Sequence, residues 1–304
     1  MRTIDRMFMS KLKALIGLAR IRHWIKNGFV LAPLVFSGRA SHVPDVLAAM
    51  AAFVAFGFAA SAGYACNDVW DAETDKIHPR KRNRPVASGA VSKFEAGTFA
   101  AVLAAASLVI GAVVSYSLLA VVAAYIVVSL FYSQRGKNVV IVDAFCIAVG
   151  FVLRVIGGAD AIHVEATGWI VVTTFFLSLF LGFGKRRGEM LHLEHRGSGH
   201  RQVLGRYDPD LLDQIVVSTG TIAIISYALY TLDAGVAAKF GTNKLFYTVP
   251  FVAYGVFRYI HLLRESKDAD PTEVVTSDKG IILTVAAWLG TAVGIVYFDG
   301  GHFR

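Results

Sequence analysis

The sequence predicts an all-α fold, a polytopic membrane bundle of about nine transmembrane helices. Of its 304 residues, 55% are hydrophobic and only 17% are charged, whereas soluble domains usually carry about 25% charged residues. The apolar runs approach the roughly 20 residues that a helix needs to cross a bilayer core. Because lipid cannot satisfy the backbone of an open sheet, these runs are predicted to be helices.

Nine apolar segments account for the predicted spans. They are 27–43, 46–66, 97–114, 118–133, 139–160, 169–184, 213–232, 245–264 and 280–298. Residues 1–26 alternate charged and apolar side chains and lack the continuous apolar core of a cleavable signal. We therefore expect an amphipathic cytoplasmic segment over 1–26, a membrane domain over 27–298 and a tail over 299–304.

The charge distribution predicts the orientation. With a cytoplasmic N-terminus, 25 of the 30 Lys and Arg residues fall in predicted cytoplasmic segments, which are 1–26, 67–96, 133–138, 185–212 and 258–279. This positive-inside bias predicts a multi-pass protein of the cell (inner or plasma) membrane. It also explains the net charge of +8. With no nucleic-acid-binding motif present, the sequence argues against nucleic acid as a partner.

The stretch "NDVWDAETDKIHPRKRNRPVASG", residues 67–89, contains a candidate metal site. Asp68, Asp71 and Asp75 are spaced i, i+3 and i+7, which places them within about 60° on a helix. Carboxylates on one face repel each other unless a cation joins them. Oxygen ligands suit Mg²⁺, which commonly takes one or two carboxylates together with substrate phosphates. The spacing therefore predicts a Mg²⁺ site at these aspartates, with the amide of Asn67 beside them.

A basic run follows the aspartates directly. It consists of Lys76, Arg80, Lys81, Arg82 and Arg84. Such side chains suit phosphate oxygens, and a metal site next to them indicates a diphosphate ligand. The alternative is a solvated loop with ordinary juxtamembrane charges. The aspartates at the end of a span favour the diphosphate site, because ionisable residues at membrane depth are costly.

The motif N-D-x-x-D-x-x-x-D at 67–75, followed by R-P-x-x-x-G at 84–89, resembles the UbiA superfamily of intramembrane prenyltransferases. Five further stretches resemble its branch of polyprenyl-phosphate phosphoribosyltransferases. They are "HPRKRNRP", "YSQRGKNVVIVD" (132–143), "LRVIGGA" (153–159), "GKRRGEM" (184–190) and "DPTEVVTSDK" (270–279). The resemblance implies a helical bundle with a Mg²⁺-diphosphate site under a cytoplasmic cap.

The branch implies a pentosyltransferase. It would move 5-phosphoribose from 5-phosphoribosyl 1-diphosphate to a polyprenyl phosphate of decaprenyl type, for the synthesis of cell-envelope arabinose or pentose donors. The implied catalytic residues are Asp68, Asp71, Asp75 and Asp143. The candidate substrate-binding residues are Asn67, Lys26, Lys81, Arg82, Arg84, Tyr132, Lys137, Arg154, Lys185, Arg186 and Glu189.

One departure from the superfamily pattern bears on the substrate. Aromatic prenyltransferases of this superfamily carry a second motif, D-x-x-x-D, after the sixth span. Here that position reads Lys185, Arg186 and Arg187, with only Glu189 nearby. A cationic cluster suits a metal-free phosphate monoester better than a second metal ion. Phosphoribosyl transfer to a lipid phosphate needs a Mg²⁺-diphosphate and a bare anion together; prenylation of an aromatic ring does not.

Two charges fall inside the fifth predicted span. Asp143 and Arg154 share a helix face but are about 16 Å apart along the axis, so they cannot pair with each other. Each must find another partner inside the bundle. Asp143 is a candidate metal or ribose contact and Lys137 a candidate phosphate ligand, with structural roles as the alternatives. Asp278 is expected to be structural.

Two other functions remain open from the sequence. A UbiA-type prenyltransferase acting on an aromatic or quinone-precursor acceptor would carry a second aspartate motif. A transporter would show broken helices at matching positions in two halves, and the glycines at 157–158 are candidates for such a break. A homo-oligomer is compatible with this fold, although no heptad or G-x-x-x-G face indicates one.

Overall fold

The computed structural model describes residues 2–79, 81–196, 207–265 and 277–299, and every regular element in those ranges is a helix. The α-helices, in chain order, are α1 (Arg2–Ala19), α2 (Gly28–Phe36), α3 (Val43–Trp70), α4 (Ala72–Lys76), α5 (Lys93–Val114), α6 (Tyr116–Gln134), α7 (Val142–Ala161), α8 (Gly168–Arg196), α9 (Pro209–Leu232), α10 (Ala234–Phe240), α11 (Val249–Glu265) and α12 (Lys279–Gly294). The predicted all-α class is confirmed.

Seven helices among the described residues are long and apolar enough to cross a membrane: α3, α5, α6, α7, α8, α9 and α12. The predicted count of nine is not confirmed. The first predicted span contains α2, which has nine residues and an internal Pro33. It rises only about 14 Å, half of a bilayer core. The eighth corresponds to α11, which is not among these seven helices, whereas α12 is counted together with the π-helical turn that extends it to Phe298.

The chain forms two compact units, which are described separately. The first comprises residues 1–34, 42–137 and 153–164. Its central helix is α3, which packs against α1, α5 and α6. The buried face of α3 is rich in alanine, and small residues allow membrane helices to approach closely. Phe56 of α3 and Leu118 of α6 are both fully buried in the core of this unit.

The N-terminal segment is fastened to α3 within this unit. After α1, a 3₁₀ helix runs over Ile21–Asn27. Trp24 donates its indole N–H to Ser61 Oγ at 3.1 Å, and the Ser61 hydroxyl donates to the carbonyl of Ala19 at 2.7 Å. A side chain at Gly57 would overlap the Trp24 ring. The missing side chain at Gly57 therefore makes room for the indole on α3.

The glycine pair of "LRVIGGA" allows two backbones to meet. A Cβ atom at Gly158 of α7 would overlap the Val30 carbonyl of α2, and one at Gly157 would overlap the Phe56 ring. Helix α7 nevertheless runs without interruption from Val142 to Ala161. These glycines therefore serve close packing, and the helix break that the transporter alternative required at them does not occur in α7.

The second unit comprises residues 35–41, 138–152 and 165–304, within the described ranges. Helix α8 packs on α9, and α11 packs on α9 and α12. Its core includes Phe180 and Tyr259, whose rings meet edge to face at 5.1 Å. Asp278 accepts the Ile281 N–H at 2.9 Å to cap α12 and also pairs with Arg258 at 2.9 Å. These contacts give Asp278 a structural role. The tail 300–304 and most of "DPTEVVTSDK" lie outside the described residues.

Replacing Gly158 by alanine tests the close approach of α7 to α2. The added methyl group overlaps the Val30 carbonyl, and overpacking of this kind costs typically about 1–3 kcal/mol. We expect Gly158→Ala to lower the melting temperature of the detergent-solubilised protein. Gly290→Ala in α12 is the matched control, because nothing lies within 4 Å of its Cβ. An unchanged melting temperature for Gly158→Ala would contradict the close approach.

Candidate active site

The aspartate cluster consists of Asn67, Asp68, Asp71 and Asp75. Helix α3 ends at Trp70, Asp71 forms the junction, and α4 begins at Ala72. The backbone continues almost helically through the junction, since the Asp71 N–H donates to the Asn67 carbonyl at 2.9 Å. Asp68 and Asp75 are buried, with 1% and 4% of their surfaces exposed. The Asp71 side chain is 28% exposed.

Two arginines neutralise the buried members of this cluster. Arg84 Nη1 donates to Asp75 Oδ2 at 2.6 Å and lies 3.4 Å from Asp68 Oδ1. Arg20 Nη2 donates to Asp68 Oδ1. The Arg20 guanidinium also lies 5.1 Å from the centre of the Tyr64 ring. The structure therefore brings Arg84 to the predicted aspartates and adds Arg20, which sequence reasoning did not identify.

Arg20 reaches Asp68 through an unusual backbone conformation. Its φ and ψ of 49° and 48° lie in the left-handed region, at the junction between α1 and the 3₁₀ helix. Non-glycine residues adopt this region only rarely. The sequence shows only one more basic residue in an amphipathic segment, and nothing in the local pattern separates Arg20 from its neighbours.

Lys137 is a third cation at the aspartate cluster, besides Arg20 and Arg84. It lies in the 3₁₀ turn Gly136–Asn138 that follows α6. Its Nζ donates to Asp71 Oδ1 at 2.5 Å and to Asn67 Oδ1 at 3.1 Å. Lys137 therefore meets Asn67 and Asp71, which lie 70 and 66 positions before it in the chain.

The other substrate-binding candidates of the first unit that the structure describes are half-buried or exposed. Lys81 and Arg82 lie in the 3₁₀ turn Lys81–Asn83, where Lys81 is half-buried and Arg82 is exposed. Lys26 and Tyr132 are half-buried. Arg80 lies outside the described residues.

The aspartate cluster suits a metal ion shared with a ligand better than one held by protein alone. Among the described residues, no group of three or more His, Cys, Asp or Glu side chains converges on one point. The Asp68 Oδ2 atom, however, is buried and accepts no hydrogen bond from any described residue. An unsatisfied buried carboxylate oxygen is costly, and oxygen ligands suit Mg²⁺. The residues present therefore fit Mg²⁺ coordinated by one or two carboxylates and completed by substrate oxygens.

In the second unit, the Arg186 cluster comprises Arg186, Asp143, Glu189 and Tyr207. Arg186 is 1% exposed and donates through Nε to Asp143 Oδ2 and through Nη1 to Glu189 Oε2, the latter at 2.7 Å. The Tyr207 hydroxyl donates to Asp143 Oδ1 at 2.8 Å. Both oxygens of Asp143 are thus engaged by protein donors. Arg186 is placed between two carboxylates, where the sequence led us to expect a guanidinium facing a phosphate.

Tyr207 was missed by sequence reasoning. Its hydroxyl accepts the Ile141 N–H at 2.6 Å while donating to Asp143. Burial raises the pKa of Tyr207 above its ordinary value, so the phenol stays protonated and keeps donating to Asp143. Ile141 has a φ of 70°, which is rare for a β-branched residue. A single tyrosine ahead of a helix cap carries no sequence signal for this role.

Arg187, which follows Arg186 in the basic run, is also paired with a carboxylate. Arg187 binds Asp213 of α9 through two parallel contacts, at 2.8 and 3.2 Å. Lys185 is half-buried. The positive charge of the run is therefore partly neutralised by acidic residues of α7, α8 and α9, and the second unit is less cationic than the sequence pattern indicated.

Arg154 belongs to the first unit, in the second half of α7. It is 6% exposed and donates to Asn27 Oδ1 and to the Tyr125 hydroxyl, each at 2.8 Å. Arg154 and Asp143 thus have separate partners, as their spacing on the helix required.

The family model of the UbiA prenyltransferase family matches residues 29–277. The chain belongs to the UbiA prenyltransferase family. The resemblance seen in the sequence motifs is confirmed, and the protein is a multi-pass membrane protein from a family of transferases.

Individual relatives make the similarity more specific than the family alone. Decaprenyl-phosphate phosphoribosyltransferase from Mycolicibacterium smegmatis is 34% identical over 94% of this chain and 93% of its own length. The enzyme of the same name from Corynebacterium glutamicum is 32% identical over 93% of this chain and 86% of its own length. A solved UbiA homologue from Archaeoglobus fulgidus, bound to DMAPP and Mg²⁺, has a TM-score of 0.67 at 17% identity. The alignment covers 93% of this chain and 99% of the homologue, which supports the shared fold.

Replacing Tyr207 by phenylalanine tests the Arg186 cluster. The change removes the donor to Asp143 and the acceptor for the Ile141 N–H, both in a buried setting. We expect a loss of about 1–3 kcal/mol in the free energy of unfolding, measured as a lower melting temperature. Tyr247→Phe is the control, because Tyr247 is 69% exposed and such surface changes stay within about 0.5 kcal/mol. Equal melting temperatures for the two variants would contradict the assigned hydrogen bonds.

Proposed function

We propose that the protein transfers 5-phosphoribose from 5-phosphoribosyl 1-diphosphate to a polyprenyl phosphate and releases diphosphate. The observation that carries the proposal is Arg186, whose guanidinium lies between Asp143 and Glu189. A fixed cation takes the place between carboxylates that a second metal ion would need. One metal-bound diphosphate and a separate lipid phosphate suit this arrangement, and the names of the two bacterial relatives agree with it.

The aspartate cluster would bind the diphosphate of the donor. Asp68 and Asp71, with the Asn67 amide and with Asp75 adjacent, would hold Mg²⁺; the solved homologue with bound Mg²⁺ supports this choice of ion. Mg²⁺ supplies charge neutralisation of the diphosphate as it leaves. In the structure, Arg84 donates to Asp75 and Lys137 donates to Asp71.

Arg84 and Lys137 would donate to diphosphate oxygens once the carboxylates bind the ion. Four other candidates from the sequence would surround the same anion in this proposal. They are Lys26, Lys81, Arg82 and Tyr132.

The acceptor phosphate needs little chemical activation. The second pKa of a phosphate monoester is about 6, so the nucleophilic oxygen is already an anion near neutral pH and no strong general base is required. Lys185 would contact this phosphate, while Asp143 and Glu189 would hold Arg186 in position. Catalysis would then rest on positioning and charge neutralisation, and direct displacement gives inversion at the anomeric carbon.

The product would be a polyprenyl-phosphoryl 5-phosphoribose, a precursor of arabinose or related pentose donors for the cell envelope. Because the sugar diphosphate is charged and water-soluble, the site would open to the cytoplasm. The concentration of Lys and Arg in the predicted cytoplasmic segments supports the same orientation.

A reconstituted assay tests this function. Purified protein in detergent, Mg²⁺ and labelled 5-phosphoribosyl diphosphate are combined with polyprenyl phosphates of several lengths. We expect labelled lipid that depends on both Mg²⁺ and the acceptor. A parallel reaction supplies prenyl diphosphate with an aromatic acceptor. Turnover only in that parallel reaction would refute the proposal in favour of an aromatic prenyltransferase.

Replacing Asp71 by asparagine tests the metal ligands. The change removes one charge from the cluster, and we expect turnover to fall by about 100-fold or more with an unchanged melting temperature. Glu73→Gln is the matched control. Hydrogen bonds from Lys93 and Lys76 lower the pKa of the Glu73 carboxyl to about 2, so Glu73 is also charged, but its side chain is exposed. Full activity in Asp71→Asn would remove Asp71 from the site.

A further inference from the structure

A second polar cluster lies inside the apolar core of the first unit. It consists of Asn27, Arg154 and Tyr125, which are 1%, 6% and 8% exposed. Tyr125 belongs to the same buried cluster as Phe56 and Leu118. The Asn27 Nδ2 atom is buried and donates to no described residue. Buried polar groups nearly always have a partner, so this amide indicates an acceptor that protein does not supply.

We infer that the Asn27–Arg154 pair binds the 5-phosphate of the sugar donor, an inference that rests on the proposed function. The two phosphate-bearing ends of 5-phosphoribosyl diphosphate would then occupy separate subsites of the first unit. The aspartate cluster takes the diphosphate, and the Asn27–Arg154 pair takes the phosphate monoester.

The hydrogen bond from Arg154 fixes which atom of the Asn27 amide faces a ligand. Arg154 Nε donates to Asn27 Oδ1, which fixes the orientation of the amide and leaves Nδ2 as its donor side. A second donor of Arg154 is held by the Tyr125 hydroxyl. The Arg154 guanidinium beside this amide keeps its charge at any physiological pH. A ligand that meets Nδ2 beside this guanidinium is best an anionic oxygen.

The cluster continues a polar path that starts at the aspartates. Tyr64 precedes Asp68 by four residues on α3, a step of about 6 Å. Arg20 contacts both, donating to Asp68 and lying against the Tyr64 ring. Tyr64 in turn packs against the buried cluster that contains Tyr125, and the Arg154 guanidinium lies 4.6 Å from the centre of the Tyr125 ring. The donor carries its diphosphate and its 5-phosphate on one five-membered ring, so it presents an anionic group at each end of such a path. A prenyl diphosphate would place hydrocarbon against these polar groups.

Asn27→Asp separates binding from a purely structural role. The variant keeps an oxygen acceptor for Arg154 and strengthens that contact with a charge, so the structural link between the 3₁₀ helix Ile21–Asn27 and α7 is preserved. It removes the Nδ2 donor and places a negative charge where the phosphate would lie. The donor pair for the assay is 5-phosphoribosyl 1-diphosphate and ribosyl 1-diphosphate, which lacks the 5-phosphate. Ser117→Ala is the control, because it deletes only an exposed hydrogen bond to Asp160.

We expect wild type and Ser117→Ala to prefer the 5-phosphorylated donor in KM. In Asn27→Asp, KM for that donor should rise at least tenfold with a normal melting temperature, while KM for ribosyl 1-diphosphate changes little. Equal losses for both donors, or an unchanged KM for the phosphorylated donor, would overturn the subsite. Absence of any phosphoribosyl transfer in wild type is a different result, because it refutes the proposed function itself.

Discussion

The charge of Asp68 constrains the structure around it more than any other single feature of the first unit. Its carboxylate is 1% exposed at the end of a membrane-spanning helix, where an uncompensated charge would be very unfavourable. Two guanidinium groups approach it, from Arg20 before the first short helix and from Arg84 after the aspartate motif. To deliver Arg20, the chain adopts a left-handed conformation at that residue and fastens Trp24 into the groove at Gly57. The placement of the N-terminal segment on α3 therefore agrees with the need to neutralise this carboxylate.

The second unit also contains a buried carboxylate, that of Asp143, but its surroundings differ from those of Asp68. Asp143 is fully buried, but a protein donor satisfies each of its oxygens. Asp68 keeps one oxygen without a donor among the described residues. A carboxylate that is saturated by protein is suited to holding its neighbours in place. A carboxylate with an unused oxygen is suited to binding a ligand or a metal ion, and this difference is the reason for proposing the metal site in the first unit.

The local patterns predicted the parts of the site that act through spacing along one helix. The aspartate motif, the basic run after it and the lysine after α6 were recognised because periodicity and charge order are visible in the chain. Asn67, Asp71 and Lys137 do meet. The count of nine spans is not confirmed, because α2 carries only nine helical residues and contains Pro33. Hydropathy averages over such interruptions, so a short buried helix and a full crossing look alike in a window of residues.

Arg20, Tyr207 and Asn27 could not be recognised in the same way. Each acts on a group 48 to 127 residues away in the chain, and none lies in a motif that states its partner. By itself the sequence determined the helical membrane class, through its hydropathy, and the family, through its resemblance to known motifs. Only the tertiary structure decided which charges are neutralised by protein and which are left for a ligand. Helix packing sets the neighbours of a buried charge, and those neighbours determine whether the charge is satisfied.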